Sequence, residues 1–468
     1  MNAPNVVWIT LESVRVDHTS LHGYDRETTP NLQRIADSPD ATTLDNCFSP
    51  GIWTLPVTAS LFTGTYPQFH RATETRSIPP ETPTLAELLS DAGYDTCCIS
   101  PNPHISSGTD LDRGFDTFSW LSSKTIWKEA GPKTILKFLF NLRRHSAGFE
   151  TEPVKHHTSY IMNEIATRWL ADVAKTDDPF LLYAHYGDPH HPYYPPEPYR
   201  DRFAEGFPDG VTTADAMRRS FDTDQRLHET IATEAVDDDL LSILEALYDA
   251  EIAYTDQMVG RLYDYVQEHM DDTIFIVTAD HGELFGEYGL LSHRLVAHDA
   301  LTHVPAVING LPGIRDQSDE LVQTLDFTRT LAELANVETN HMHGIDLRDE
   351  CREGAVVQRS GEIAEKHLAD FRSYAPNYEN EYVFTGDLTA YRTHNWKHIT
   401  ATGANDSFLF DLPDETTDVS SKHPDELERH RKASEDWQDR IGRSESDERG
   451  EYSDAMQEQL ADLGYLSD

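Results

Sequence analysis

Runs of apolar, largely β-branched residues recur along the chain at 6–11 (VVWITL), 95–100 (DTCCIS), 179–185 (PFLLYAH) and 273–278 (TIFIVT). Between them the apolar spacing shifts to a helical period, as in TLAELLSDAGY at 84–94, which closes on Gly93. Short buried strands separated by helices predict an α/β fold, a doubly wound and mainly parallel sheet covered on both faces. Ligands of such sheets sit beyond the carboxyl ends of the strands. That rule places Glu12, the loop after Ala184 and the segment after Thr278 along one edge.

After about residue 373 the texture changes to shorter runs, EYVFTG, WKHITAT and SFLFDL, with no strong helical pattern between them. They predict a small antiparallel sheet. The expected division is therefore an α/β domain over 1–372 and a small sheet plus terminal helix over 373–468. The terminal helix is expected at AMQEQLADLGYL, after a very polar stretch over 413–451. Two segments read as insertions. Residues 202–240 are acidic and helical in their later part, whereas residues 124–155 hold five of the chain's 10 lysines plus Arg143 and Arg144, around ILKFLF. The second is either a helix docked with its basic side in solvent, or a lip that guides an anionic substrate or touches an anionic membrane surface.

Composition narrows the function classes. At 468 residues the chain buries a large core without disulfides, and its four cysteines form no C-x-x-C pair, which suggests a reducing compartment. No signal segment precedes the first strand and no apolar run approaches the roughly 20 residues of a membrane span, so no transmembrane segment and a cytoplasmic location are expected. The formal charge is −44, which disfavours nucleic acid as a partner. So acidic and lysine-poor a chain, with ample core residues, fits a concentrated-salt cytosol, where screening over about 3 Å at 1 M relieves the self-repulsion.

Three pieces carry candidate chemistry. VTADHGELFGEYG sets Asp280 and His281 directly after a strand, a carboxylate and an imidazole suited to a divalent cation. ITLESVRVDH ends the first strand at Glu12. LYAHYGDPHHPYYPP runs from a strand into a proline-rich loop with His185, Asp188, His190 and His191, stiff enough to hold an imidazole over a leaving group.

In this order the pieces resemble the sulfatase family of the alkaline phosphatase superfamily. WTLPVTASLFTGTYP resembles its nucleophile loop, and TPTLAELLSDAGYDT, EIAYTDQMVGRL, LTHVPAVI and the closing LADLGYL continue the likeness over nearly the whole chain. The resemblance implies one divalent cation (calcium, magnesium, manganese or zinc) and hydrolysis of a sulfate or phosphate ester, on a small molecule or a glycan. It puts Thr54 at the nucleophile position and among the metal ligands with Glu12, Asp280 and His281. It sets His190 or His191 facing the leaving group, and His293 near the place where the family carries a lysine on the ester oxygens. A two-metal version would add Asp188 with one of His185, His191, His298 or His303.

The departures from the family pattern are informative. Where the family has Cys/Ser-x-Pro-Ser-Arg this chain has Thr54-Leu55-Pro56-Val57-Thr58, and threonine cannot become formylglycine. Glu12 replaces an aspartate, and Cys47 lacks the spacing to substitute for Thr54. A threonine activated by a cation resembles the phosphodiesterases and phosphotransferases of the superfamily, so phosphate esters are favoured over sulfate. The other reading is a non-catalytic relative that binds an anionic glycan.

Overall fold

The computed structural model describes residues 3–72, 77–146, 148, 155–314, 319–404, 406–442 and 450–462. Its central sheet has seven strands. Strand Asn5–Leu11 lies in the middle, parallel to Phe180–Tyr186 on one side and to Thr273–Ala279 on the other. Asp95–Ser100 and Thr117–Trp120 extend the parallel set. Ala306–Asn309 and Ala41–Thr43 finish the opposite edge, the former antiparallel to both of its neighbours. All four strands expected from apolar runs are present, and each is buried along nearly its whole length because helices cover both faces.

The helix expected at 84–94 forms as Leu85–Asp91. Thr84 and Glu87 make a reciprocal capping box at its start, and Gly93 at φ 91° follows its end in the left-handed region that glycine adopts without strain. A 32-residue helix, Asp238–His269, runs behind the sheet and buries an apolar stripe from Leu240 to Val266.

The small sheet is antiparallel, in the order Ala355–Arg359, Leu388–Arg392, Trp396–Ala401, Phe408–Asp411. Its first strand comes from before residue 373, so the sheet starts earlier than the change of texture. EYVFTG is not a strand; Leu388–Arg392 takes that place in the ladder. The polar stretch 413–451 contains an 18-residue helix, Pro424–Ile441, whose buried face is limited to His430, Ser434 and Trp437. Three inward positions at helical spacing suffice, because Trp437 meets the Tyr66 ring edge-on at 4.6 Å. The terminal helix spans Asp454–Asp462, and the last four residues of AMQEQLADLGYL lie outside the described residues.

Candidate active site and metal centre

Parallel pairing builds the site from strand ends. Leu11 is in register with both Tyr186 and Ala279, so the residues that follow, Glu12 and Asp280, leave the sheet side by side. Backbone bonds fix them there, Glu12 N donating to Tyr186 O at 2.9 Å and Asp280 N to Leu11 O at 3.2 Å. Asp280 Oδ1 accepts from the backbone of Ser13 at 3.0 Å and of His281 at 2.8 Å. Its Oδ2 is buried and accepts no hydrogen bond among the described residues.

Thr54 arrives from a different direction. It is the first residue of the buried helix Thr54–Thr63, with Trp53 extended before it. Its Oγ1 donates to Glu12 Oε1 at 3.1 Å and lies 3.3 Å from His281 Nε2. His281 Nδ1 donates to Gly282 O at 2.8 Å, which leaves Nε2 facing Thr54 and, at 3.4 Å, Asp280 Oδ2. Thr54 also stands at the positive end of the helix dipole, where an anionic group is favoured.

Glu12 is held by two further side chains. Asn102 Nδ2 donates to Oε1 at 2.7 Å, and His185 Nε2 lies 3.2 Å from Oε2. Burial works against ionisation of Glu12, but the hydrogen bond and charge of His185, helped by His190 and His281, outweigh it and hold the carboxyl down at about 2. Burial dominates at Asp280 and raises it. One donor atom each from Glu12, His185 and Asp280 lie within 4.8 Å of one another. Two carboxylates, one with an oxygen that accepts no hydrogen bond among the described residues, an imidazole nitrogen and a hydroxyl in one buried pocket suit a divalent cation.

The remaining histidines ring this pocket. The His293 ring centroid is 4.5 Å from that of His281 and 5.2 Å from that of His190. His190 Nδ1 faces His191 O at 2.6 Å, and His293 Nδ1 faces Glu283 Oε1 at 3.3 Å. Burial, with its histidine neighbours, pushes His190 down to about 4 and His293 well below the ordinary value. His191 differs: Nδ1 faces Asp224 at 2.5 Å and Nε2 faces Ser292 Oγ at 2.9 Å, so both nitrogens are occupied by the protein. Asp224 belongs to helix Thr213–Gln225 of the acidic 202–240 segment, which thus reaches the site.

Of the residues the sequence singled out, Glu12, Thr54, Asp280 and His281 meet, with His190, His191 and His293 around them, whereas Asn102 and Asp224 were missed. Asn102 had a usable signal, its place just beyond strand Asp95–Ser100; Asp224, in mid-helix, had none. Among the described residues the two-metal grouping does not assemble: His185 lies with Glu12 and Asp280, and His191 with His190 and His293. Asp188 lies with His157 and Glu251, His298 caps helix Asp299–Thr302, and His303 Nε2 faces Asp45 O at 2.7 Å. Cys47 lies in a buried two-residue strand, and burial raises its thiol well above the usual range.

Residues 4–337 match the family described as Sulfatase. This chain belongs to the sulfatase family. It is 26% identical over 357 residues to an uncharacterized sulfatase, YidJ, of Escherichia coli, covering 72% of this chain and 69% of that one. It is 23% identical over 386 residues to an arylsulfatase of Clostridium perfringens, covering 74% and 78%. Its fold is similar to the crystal structure of the phosphonate monoester hydrolase of Agrobacterium radiobacter, with TM-score 0.71 at 20% identity over 94% of this chain and 96% of the other. It is accordingly a sulfatase-type ester hydrolase, a mostly parallel α/β domain joined to a small antiparallel sheet.

In this sulfatase-family chain the turn after His281 leaves no room for a side chain. A Cβ on Gly282 would stand 2.0 Å from Ala300 O, a clash with backbone that a rotamer change cannot relieve. Gly282 N also donates to Leu301 O at 2.7 Å. Gly282→Ala is expected to displace His281 from Thr54 and lower kcat/KM at least about 100-fold, since a 1 Å misplacement costs on that order. Steady-state kinetics on a soluble ester, with circular dichroism as the fold control, checks this.

Proposed function

We propose that this sulfatase-family chain cleaves a phosphate ester in preference to a sulfate ester, on a small molecule or a glycan, with Thr54 as nucleophile at a site for one divalent cation. The observation that supports the reading is the position of Thr54 Oγ1, buried between Glu12 Oε1 and His281 Nε2 at the start of a helix. Glu12, Asp280, His281 and Thr54 are the residues that would hold the cation, which supplies positive charge beside the Thr54 oxygen and the oxygens of the transferring group.

The chain's own groups do the rest. Glu12 Oε1 and His281 Nε2 are two acceptors facing the Thr54 hydroxyl, so its proton has a place to go as Oγ1 becomes the nucleophile. The bond from Oγ1 to phosphorus forms as the bond to the leaving oxygen breaks, and that oxygen takes up a proton. His190 and His293 stand beyond the His281 ring, positioned to provide it. An anionic ester beside these rings favours their charged forms, opposing the burial that depresses them. His191, tied at both nitrogens to Asp224 and Ser292, orients His190 through its carbonyl oxygen. The phosphorylated Thr54 is then resolved by water, or by an acceptor alcohol in a transferase variant of the same chemistry. Threonine favours phosphate because a sulfated threonine lacks the release step that formylglycine gives.

The acidity of the chain fits work in concentrated salt, so the assay belongs in molar potassium chloride. Chromogenic sulfate monoester, phosphate monoester and phosphate diester are compared after chelation and after adding back calcium, magnesium, manganese or zinc. Phosphate-ester turnover is expected to fall at least about 100-fold on chelation and to return with one equivalent of cation. Full turnover by protein shown metal-free by elemental analysis would remove the cation from the reading, and faster sulfate turnover would reverse the substrate preference.

A further inference from the structure

Among the described residues, five large apolar side chains stand exposed, and four of them, Trp127, Leu136, Leu139 and Phe140, belong to one helix, Ile126–Phe140. Phe140 is 82% exposed and Trp127 62%. The helix changes direction at Gly131, where φ is 75°, ahead of Pro132. It buries Ala130, Thr134 and Ile135, while Leu136, Leu139 and Phe140, three and four residues apart, form a second apolar face turned outward. A folded chain rarely leaves such a cluster uncovered.

Charge sets this face apart as well. Residues 124–144 carry six lysines and arginines against one glutamate, in a chain of net charge −44; Lys124, Lys128, Lys137 and Arg143 lie against Glu458, Glu129, Glu164 and Glu197, in contacts at the surface that leave the cations within reach of solvent. Just past Phe140 opens a cavity of about 680 Å³ lined by Arg144, Arg202 and Arg261 with Tyr160, Tyr199 and Tyr254, and by no Asp or Glu. Arg202 pairs with Glu27 at 3.3 Å, whereas Arg144 and Arg261 have no carboxylate within ion-pair distance among the described residues. Arg261 lies over the Tyr160 ring at 5.4 Å, and that ring stacks on His145 at 4.2 Å, which fixes the guanidinium at the cavity wall.

We propose that this face docks on a membrane surface bearing anionic phosphate headgroups. Trp127, Leu136, Leu139 and Phe140 enter the boundary between headgroups and acyl chains, the flanking lysines meet the surface, and one headgroup phosphate occupies the three-arginine cavity. A second copy of the chain fits less well. Tyr374 is the only other exposed large apolar side chain among the described residues, so apolar would meet apolar only through the same face, setting Lys133 and Arg144 of each copy, which have no carboxylate partner among the described residues, against each other. An anionic bilayer supplies both the apolar interior and the negative charge. In molar salt the long-range attraction is screened, and the apolar insertion and the enclosed cavity carry the contact.

Sedimentation of the full chain with phosphatidylcholine vesicles, with and without phosphatidylglycerol, tests this at low and molar potassium chloride. The wild type is expected to partition at least about tenfold more onto the anionic vesicles. Leu139→Glu with Phe140→Glu is expected to abolish partitioning. Arg144→Gln with Arg261→Gln is expected to lose the preference for anionic lipid, and both double variants to keep turnover of a soluble ester. Equal partition onto both vesicle types, none onto either, or wild-type binding by both variants overturns the proposal. So does binding of free glycerol phosphate without vesicle binding, or a wild-type dimer that Phe140→Glu converts to monomer in light scattering.

Discussion

Thr54→Ala is expected to lower kcat/KM for a phosphate ester at least about 1000-fold while leaving fold and bound cation in place. The reason lies in how Glu12 is anchored. Losing the Thr54 hydroxyl removes one partner, but Asn102 Nδ2 at 2.7 Å and His185 Nε2 at 3.2 Å still hold the carboxylate, and Asp280 Oδ1 keeps both backbone donors. Glu12 and Asp280, two of the groups that would hold the cation, thus keep their geometry, and only the Thr54 oxygen is lost. Thr54→Ser restores the oxygen without the methyl and is expected to keep activity within about tenfold, the hydroxyl paying only extra rotamer freedom. Elemental analysis of both variants separates a lost nucleophile from a lost metal. Unchanged turnover by the alanine variant would overturn the assignment of Thr54, and equal loss in both variants would assign it to positioning.

Lys397→Met is expected to destabilise the protein by about 3–5 kcal/mol, the usual cost of breaking a buried ion pair by removing one partner. Lys397 lies on a strand of the small sheet and is fully buried. Its Nζ reaches Asp299 Oδ1 at 2.5 Å, Glu415 Oε2 at 2.6 Å and Ala297 O at 2.9 Å, so a single ammonium joins the small sheet to the α/β domain. Despite burial, Lys397 and Arg392 hold the Asp299 carboxyl well below the usual range. A depressed carboxylate contributes stability that is complete above its unfolded value of about 4 and drains away as the pH falls from there toward the folded value. Urea denaturation across that window is expected to show the wild type losing its advantage over Lys397→Met on the acid side. Adding Glu415→Gln to Lys397→Met should recover part of the loss, because it removes a buried charge left without its ammonium, whereas Asp299 keeps Arg392 at 3.2 Å. A midpoint for Lys397→Met within error of the wild type would show that the pair contributes nothing net.

The sequence alone determined the pieces whose signal is local. Four buried strands, the capped helix after Thr84 and the strand-end residues Glu12, Asp280 and His281 were legible, because apolar runs, capping residues and the strand-end rule are read within a few residues of one another. The family match, carried by motifs such as WTLPVTASLFTGTYP, was legible for the same reason. The tertiary structure decided whatever depends on distance between segments. Thr54 meets Glu12 and His281 across separations of 42 and 227 residues. Asp224 distinguishes His191 from His190 by engaging its Nδ1, and no local pattern marks an acid in an acidic helix as a site residue. Helix Pro424–Ile441 escaped notice because three inward residues carry its docking while the rest of its composition is that of a solvated loop. Periodicity records which side of an element is buried; it does not record which other element buries it. Here that second fact places Thr54 beside Glu12 and His281, and sets Lys397 and Arg392 of the small sheet against Asp299 of the domain.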